Sequence, residues 1–344
     1  MHGPSLAPPA RLGHNRLVVT ADDSLLRQPL GALGRACLIW FGIEFTAYLI
    51  AIAVKLNNGA SLLSALGDVL IIFIAIRVVM VAGNFAQTWW HRSPRAGEHR
   101  IGLFGTLKMF GNELIAAIGT YPFYFAFEPW LVPNRPKPGL PHQGPPIILV
   151  PGFLCNRGYW GSFRRFLTKQ GYGKVYSVTL GPVFGSITEN ARQLGEFIEA
   201  VCAETGEDKV ILVAHSMGGV TIRAYLHKLD GAHRVAKVIA IGAPFKGTVL
   251  AGGPSGLGAN LKQMVVGNPW SEGLNACEAE AAPVPFVAIW SPHDSIVAPQ
   301  EGSRISDIYG KSIAVPGVGH MEMVTNRPCM ELTLREIREV SEIR

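Results

Sequence analysis

Two long apolar runs near the start of the chain give way, past residue 145, to a rhythm of short apolar runs and amphipathic stretches. Residues 36–54, ACLIWFGIEFTAYLIAIAV, are interrupted only by Glu44, and after the polar break LNNGAS the run LLSALGDVLIIFIAIRVVMVA covers residues 62–82. Each is close to the ~20 residues a helix needs to cross the hydrocarbon of a bilayer. A pair of buried core helices is the alternative, but nothing nearby is amphipathic enough to enclose two helices that are apolar all round. Pro4, Pro8, Pro9 and Pro29 precede the first run, which is also too long for the apolar region of a cleaved signal. The pattern predicts a tail over residues 1–35 and an uncleaved transmembrane helical hairpin over 36–83.

Residues 84–131 read differently. The stretch GTYPFYFAFEPWL is aromatic but carries Pro122, Glu128 and Pro129, with Glu113 just upstream. Rings beside charges suit the headgroup zone, so a juxtamembrane, interfacial segment is expected in preference to a third span. Residues 132–146, VPNRPKPGLPHQGPP, hold six prolines; such a run cannot continue a helix and is expected to be a stiff linker at a domain boundary.

From 147 to 344 the chain alternates. IILVPGF, KVYSVTL, KVILVAHS, VAKVIAIGAP, VPFVAIWS and SIAVPGV are rich in Val and Ile and bounded by Gly or Pro, while SITENARQLGEFIEAVCAETG has helical periodicity with Ser186 or Thr188 as its cap. Strands alternating with helices imply a parallel sheet covered on both faces, with a site at the carboxyl ends of its strands.

Ser216 falls at one such end, in LVAHSMGG. The small residues Ala214, Gly218 and Gly219 around His215 and Ser216 permit a sharp strand-to-helix turn that exposes a strained serine, the nucleophile elbow usually written G-x-S-x-G. Ala214 stands at the first glycine. A serine needs a base and an orienting acid, expected later in the chain in the order acid, then histidine. Asp294 in SPHDSIV and His320 in GVGHMEMV each follow a strand. Asp307 is the reserve acid. His227, Asp230 and His233 belong to the far end of the helix after Ser216; His215 should point away from the serine hydroxyl, and His293 reads as a solvated loop histidine. Two N–H donors are required for an oxyanion: Met217, next after the serine, and Phe153, beside Gly152.

These stretches, with VPGFLCN and IGAPFKGT, resemble the bacterial lipases and esterases of the α/β-hydrolase fold. Pro151 and Phe245 stand where such lipases commonly have histidines. The resemblance implies an α/β-hydrolase fold, mostly parallel sheet with helices on both faces, and a carboxylic ester substrate cleaved by Ser216, Asp294 and His320. The same constellation serves acyl transfer, and an inactive fold used as a membrane interaction module is the non-enzyme alternative. Residues 248–283 stand where lipases carry a lid, and Leu257, Leu261, Met264, Val265 and Trp270 are candidates to line an acyl site.

Composition adds limits. Hydrophobic residues make up 48% and charged residues 16%, against roughly 25% charged in ordinary soluble domains. The net charge is +6, with no basic cluster interleaved with aromatics, so nucleic acid is not an expected partner; a lipid or apolar ester and the bilayer are. No cysteine and histidine set has metal spacing, and neither metal nor cofactor is expected. Arg11, Arg16, Arg27 and Arg35 precede the first span, outweighing Asp22 and Asp23, and Arg92, Arg95, Arg100 and Lys108 follow the second. Basic flanks favour the cytoplasmic side, which predicts an integral protein of a bacterial plasma membrane with its catalytic domain cytoplasmic. A crossing by residues 110–131 would instead place that domain outside and permit a Cys277–Cys329 bridge.

Overall fold

The two apolar runs form helices α1 (Ala32–Asn57) and α2 (Leu62–Trp90) in a computed structural model that describes residues 24–253 and 255–342. The charged residues Arg11, Arg16, Asp22 and Asp23 and the prolines Pro4, Pro8 and Pro9 lie outside the described residues. Gly59 takes a left-handed φ of 83° in the turn between the helices, and Ser61 caps α2 by accepting the Ser64 N–H. Ile39, Trp40, Phe45, Ile71 and Val79 all stay exposed. Among the described residues, these are the two helices long and apolar enough to cross a membrane. Inside the hairpin lies an ion pair: Arg77 Nη2 donates to Glu44 Oε2 at 2.7 Å, and the Tyr48 hydroxyl donates to the same carboxylate. Lys55 and Asp68 pair nearer the turn.

Helix α3 (Gly102–Gly119), a π-helical turn over Thr120–Phe125 and the short α4 (Glu128–Leu131) follow. This segment is more than a juxtamembrane stretch, because its inner side is built into the sheet domain. Ala116 and Phe125 join the core on one face of the sheet. The approach of the π-helical turn is so close that a Cβ on Gly158 would lie 2.0 Å from the Tyr124 carbonyl oxygen. Glu128 is fully buried, accepting the Gly31 N–H at 2.9 Å and the Thr179 hydroxyl at 2.9 Å, with Arg157 3.9 Å away.

The proline-rich stretch corrects the expectation of a stiff spacer. The Asn134 carbonyl accepts the Ser177 N–H at 3.1 Å, and its side-chain amide donates to the Ser177 carbonyl at 3.0 Å. The stretch therefore lies along the edge of the sheet, where a proline without an N–H breaks no ladder.

The sheet domain runs β1 (Ile147–Val150), α5 (Gly161–Lys169), β2 (Val175–Ser177), α6 (Ile187–Thr205), β3 (Val210–His215), α7 (Met217–Lys228) and β4 (Val235–Ile241). Short helices α8 (Ala259–Gln263) and α9 (Pro269–Asn275), then β5 (Phe286–Trp290), β6 (Lys311–Ala314) and α10 (Arg327–Glu342), complete it. The six strands are all parallel, in the order β2-β1-β3-β4-β5-β6. Side chains alternate between faces: Ile148, Val150, Leu212 and Ala214 pack with α6 and α7, and Ile147, Leu149, Ile211 and Val213 pack with α5 and α10. With both faces covered, the strands read as continuous apolar runs. Ser186 caps α6 by accepting the Thr188 N–H, and Gly206, at φ 71°, ends it.

The feet of the hairpin return to the sheet domain. Gly31, just before α1, meets Glu128, and Ser93, just after α2, donates its N–H to Gln300 at 3.0 Å. For the pair inside the hairpin, neutralising Glu44 and Arg77 singly and together in a micellar unfolding assay should show a coupling of about 1 kcal/mol or more. Additive losses would mean the two groups do not interact.

Candidate active site

The strand order reverses next to β1, whose chain continues to β2 on one side while β3 leads to β4 on the other. Such a switch leaves a crevice at the carboxyl ends of the strands. The loop after β1 and the turn after β3 meet there. Ser216 occupies φ 54°, ψ −128° between β3 and α7, a strained conformation that costs roughly 1–3 kcal/mol. Three small contacts hold it. A Cβ on Gly218 would lie 2.6 Å from the Val150 carbonyl oxygen, one on Gly152 would lie 2.8 Å from Ser216 Cβ, and one on Gly219 would lie 2.5 Å from Ala243 Cβ. Ala214 is still within the ladder, opposite Val150 and Ala240, so it needs no glycine.

Asp294 and His320 are in direct contact, with His320 Nδ1 2.8 Å from Asp294 Oδ2. The other carboxylate oxygen accepts the N–H groups of Ile296 at 2.8 Å and Val297 at 2.7 Å, which fixes the face presented to the imidazole. Burial pushes the His320 pKa down, but Asp294, with Glu113 behind it, outweighs this and the pKa is raised above 6.5. Gly242 joins this pair to the elbow. Its φ is 59°, and a Cβ there would lie 3.4 Å from Asp294 Oδ2 and 3.5 Å from His320 Cε1. The preceding carbonyl, of Ile241, accepts the Ser216 N–H at 2.9 Å. No hydrogen bond joins Ser216 to His320 among the described residues, and such bonds often tighten only when substrate is bound.

His215, within the elbow, is buried and serves the histidine loop. Its Nε2 lies 3.1 Å from the His320 carbonyl and 3.3 Å from the Tyr159 hydroxyl. Burial first, and the neighbouring imidazole second, hold its pKa well below 6.5. Met217 begins α7 beside Gly152, and the Phe153 side chain packs on Phe184. Leu154, at φ 50°, keeps the turn of this loop tight.

A cavity of about 280 Å³ opens on these loops, lined by Gly152, Leu154 and Met217 on one side and Leu30, Leu33 and Arg35 on the other. Its outer wall is the chain entering α1, part of the segment expected to be a tail. The residues expected to line an acyl site are elsewhere. Leu261 and Met264 are core, Val265 and Trp270 pack against that core, and Leu257 is exposed.

The other candidates separate cleanly. Asp307 is exposed in a surface recess with Lys311 and Glu336. His227 meets the Tyr309 hydroxyl at 2.7 Å, and the exposed His233 bonds the Asp230 carbonyl. His293 corrects the expectation of a solvated ring: it is 3% exposed, and its Nδ1 accepts the Gly317 N–H. All five cysteines are free, so the Cys277–Cys329 bridge is absent. Among the described residues no cluster of three His, Cys, Asp or Glu side chains is gathered to hold a metal.

Comparison with known proteins agrees with the sheet. Residues 145–271 match the family model described as the α/β hydrolase fold. A 114-residue stretch is 35% identical to a triacylglycerol lipase of Pseudarthrobacter phenanthrenivorans, covering 31% of this chain and 35% of that protein. A triacylglycerol lipase of Burkholderia plantarii is likewise 35% identical over 114 residues, 31% of each chain. The chain thus spans about a third of the length of the curated relatives it matches. The mature form of a Bacillus licheniformis lipase superposes with a TM-score of 0.52 at 16% identity, over 59% of this chain and 95% of that one. The chain has the α/β-hydrolase fold.

Burial, with Arg95 and His99 close by, pushes the His293 imidazole from 6.5 down to about 4. The unfolded chain takes that proton first, so the stability contributed by neutral His293 is complete above pH 6.5 and is lost as pH falls toward 4. Proton NMR of the His293 ring should give a midpoint near 4; a midpoint near 6.5 would mean an open, solvated ring.

Proposed function

We propose that the chain is a membrane-seated serine hydrolase of the lipase/esterase type, cleaving carboxylic esters of lipids or other apolar acyl chains. One observation carries the reading: the strained Ser216, bonded through its N–H to the Ile241 carbonyl, and the Asp294–His320 pair beside Gly242 come together, next to a cavity lined by Gly152 and Met217, the neighbours of Ser216, and walled by the foot of an apolar helix. The likeness to triacylglycerol lipases supports the ester class.

In this reading the Ser216 hydroxyl attacks the ester carbonyl while His320 accepts its proton, and Asp294 holds the resulting imidazolium by its Nδ1–H. The N–H groups of Met217 and Phe153 receive the oxyanion. Collapse of the tetrahedral intermediate breaks the ester C–O bond, and His320 returns the proton to the departing alcohol. Water, activated by the same imidazole, then releases the acid from the acyl-enzyme. The raised pKa of His320 makes it a stronger proton acceptor and favours its holding the proton between the two steps.

Membrane seating is supported by the exposed apolar flanks of α1 and α2 and by the return of both hairpin feet to the hydrolase. In this reading the helices are two spans with both feet on one side, and the catalytic domain lies on the side of Arg92, Arg95, Arg100 and Lys108, the cytoplasmic side by the basic-residue rule. Leu103, Phe104 and Leu107 of α3 are exposed and extend the lipid-facing surface down to the hydrolase. The ester would then enter the cavity beside α1 from the leaflet.

Ser216→Ala and His320→Ala should each reduce ester hydrolysis by roughly four orders of magnitude, since triad members act as a unit, and Ser216→Ala should abolish fluorophosphonate labelling. Asp294→Asn should be nearly as damaging and Asp307→Asn close to wild type. Folded, fully active Ser216→Ala protein would refute the mechanism, and the reverse ranking of the two aspartates would reassign the acid.

The apolar cavity beside α1 leads to a second expectation. A given ester should be cleaved faster in micelles or vesicles than as monomer; equal rates, with short acyl chains preferred, would indicate a plain esterase.

A further inference from the structure

Glu113 is a buried carboxylate outside the Ser216, Asp294 and His320 set, and it reaches the loop that carries His320. It projects from α3, outside the six-stranded unit, and is 2% exposed. Its Oε1 accepts the Met321 N–H at 2.9 Å and the Ser295 hydroxyl at 2.5 Å, and its Oε2 accepts the Glu322 N–H at 2.9 Å. Ser295 in turn accepts the His320 N–H at 3.1 Å. One carboxylate thus holds the N–H groups of three successive residues, two directly and one through Ser295, and the first of the three is the candidate base. Gly319 makes room, since a Cβ there would lie 2.6 Å from Glu113 Oε2.

We infer that Glu113 is a positioning residue for His320, acting from α3 through the backbone of residues 320–322. The loop from Gly317 to Thr325 has no ladder of its own to fix it: it follows β6 and precedes α10. Its carbonyls are bound from the sheet side, His320 by His215 and Met321 by Tyr159. Its N–H groups at 321 and 322 are bound by Glu113 directly, and that of His320 through Ser295. An imidazole that must move a proton needs its backbone fixed to a fraction of an ångström, and a displacement of about 1 Å costs roughly 100-fold in rate.

Charge adds a second contribution. Burial works to lower the His320 pKa, while the carboxylates of Asp294, from the loop after β5, and of Glu113 raise it. The other groups facing this center are the neutral His215, from β3, and Glu322, on the histidine loop itself, which bonds the Gly319 N–H and Asn326.

The inference rests on Ser216 and His320 being the reacting groups, and the test separates the two questions. Full-length protein in detergent micelles is assayed as wild type, Glu113→Gln and Glu113→Asp, with Ser216→Ala as the blank. Glu113→Gln keeps the shape but loses the charge and opposes an amide to a backbone N–H. Its kcat should fall roughly 10- to 100-fold with KM nearly unchanged. The acid limb of its kcat/KM profile should move to lower pH, because losing the negative charge lowers the His320 pKa. Glu113→Asp should return the limb to its wild-type position and recover part of kcat. A wild-type kcat and limb in Glu113→Gln would overturn the inference. So would a loss that only follows the folded fraction, measured by thermal unfolding, with the limb unmoved. Activity in Ser216→Ala equal to wild type would overturn the underlying reading instead.

Discussion

β1 and β3 lie side by side, but their chains leave in opposite directions across the sheet, and the crevice this opens is narrow enough that only glycine fits on either wall. Gly218 sits against the carbonyls of Val150 and Pro151, and Gly152 against Ser216 itself. These contacts over-determine the backbone around Ser216, which is the condition for keeping a non-glycine residue at positive φ. The half-buried Ser216 hydroxyl and the adjacent N–H groups at the start of α7 follow from that one close approach.

The second half of the site is supported from three directions. Asp294 sets the face of the imidazole, His215 and Tyr159 hold the carbonyls of the histidine loop, and Glu113 holds its N–H groups. Two of these supports come from the sheet domain and one from α3. The buried carboxylates Glu113 and Glu128 play parallel parts, each tying N-terminal chain to the sheet domain by several donors. Burying a carboxylate costs several kcal/mol unless its oxygens are satisfied, so these two residues permit one docking arrangement and penalise others. The apolar helices and the candidate site are thereby parts of one packed unit.

What the sequence alone determined was local. Six parallel strands, a cap at Ser186 or Thr188, the helix after Ser216 and the break between the apolar runs were readable because period, capping and glycine placement act over a few residues. The elbow and the acid–histidine order were readable for the same reason, since each residue follows a strand, and strand ends in a parallel sheet converge. Even the Glu44–Arg77 pair is legible along the chain, since Glu44 lies 15 residues before Gly59 and Arg77 18 after it, an offset of about 4.5 Å at the helical rise.

Only the tertiary structure decided what lies against what. Glu113 and Glu128 look like interfacial charges in sequence, because nothing within several residues of either shows the donors that satisfy them; those lie some 50 to 200 positions away. The proline-rich stretch has no local signal distinguishing a free spacer from a strip laid along a sheet edge. Leu261 and Met264 are equally apolar as core or as cavity lining, and His293 carries no mark of its burial. Burial and long-range hydrogen bonding are properties of the packed whole, so neither pattern nor spacing along the chain encodes them one residue at a time.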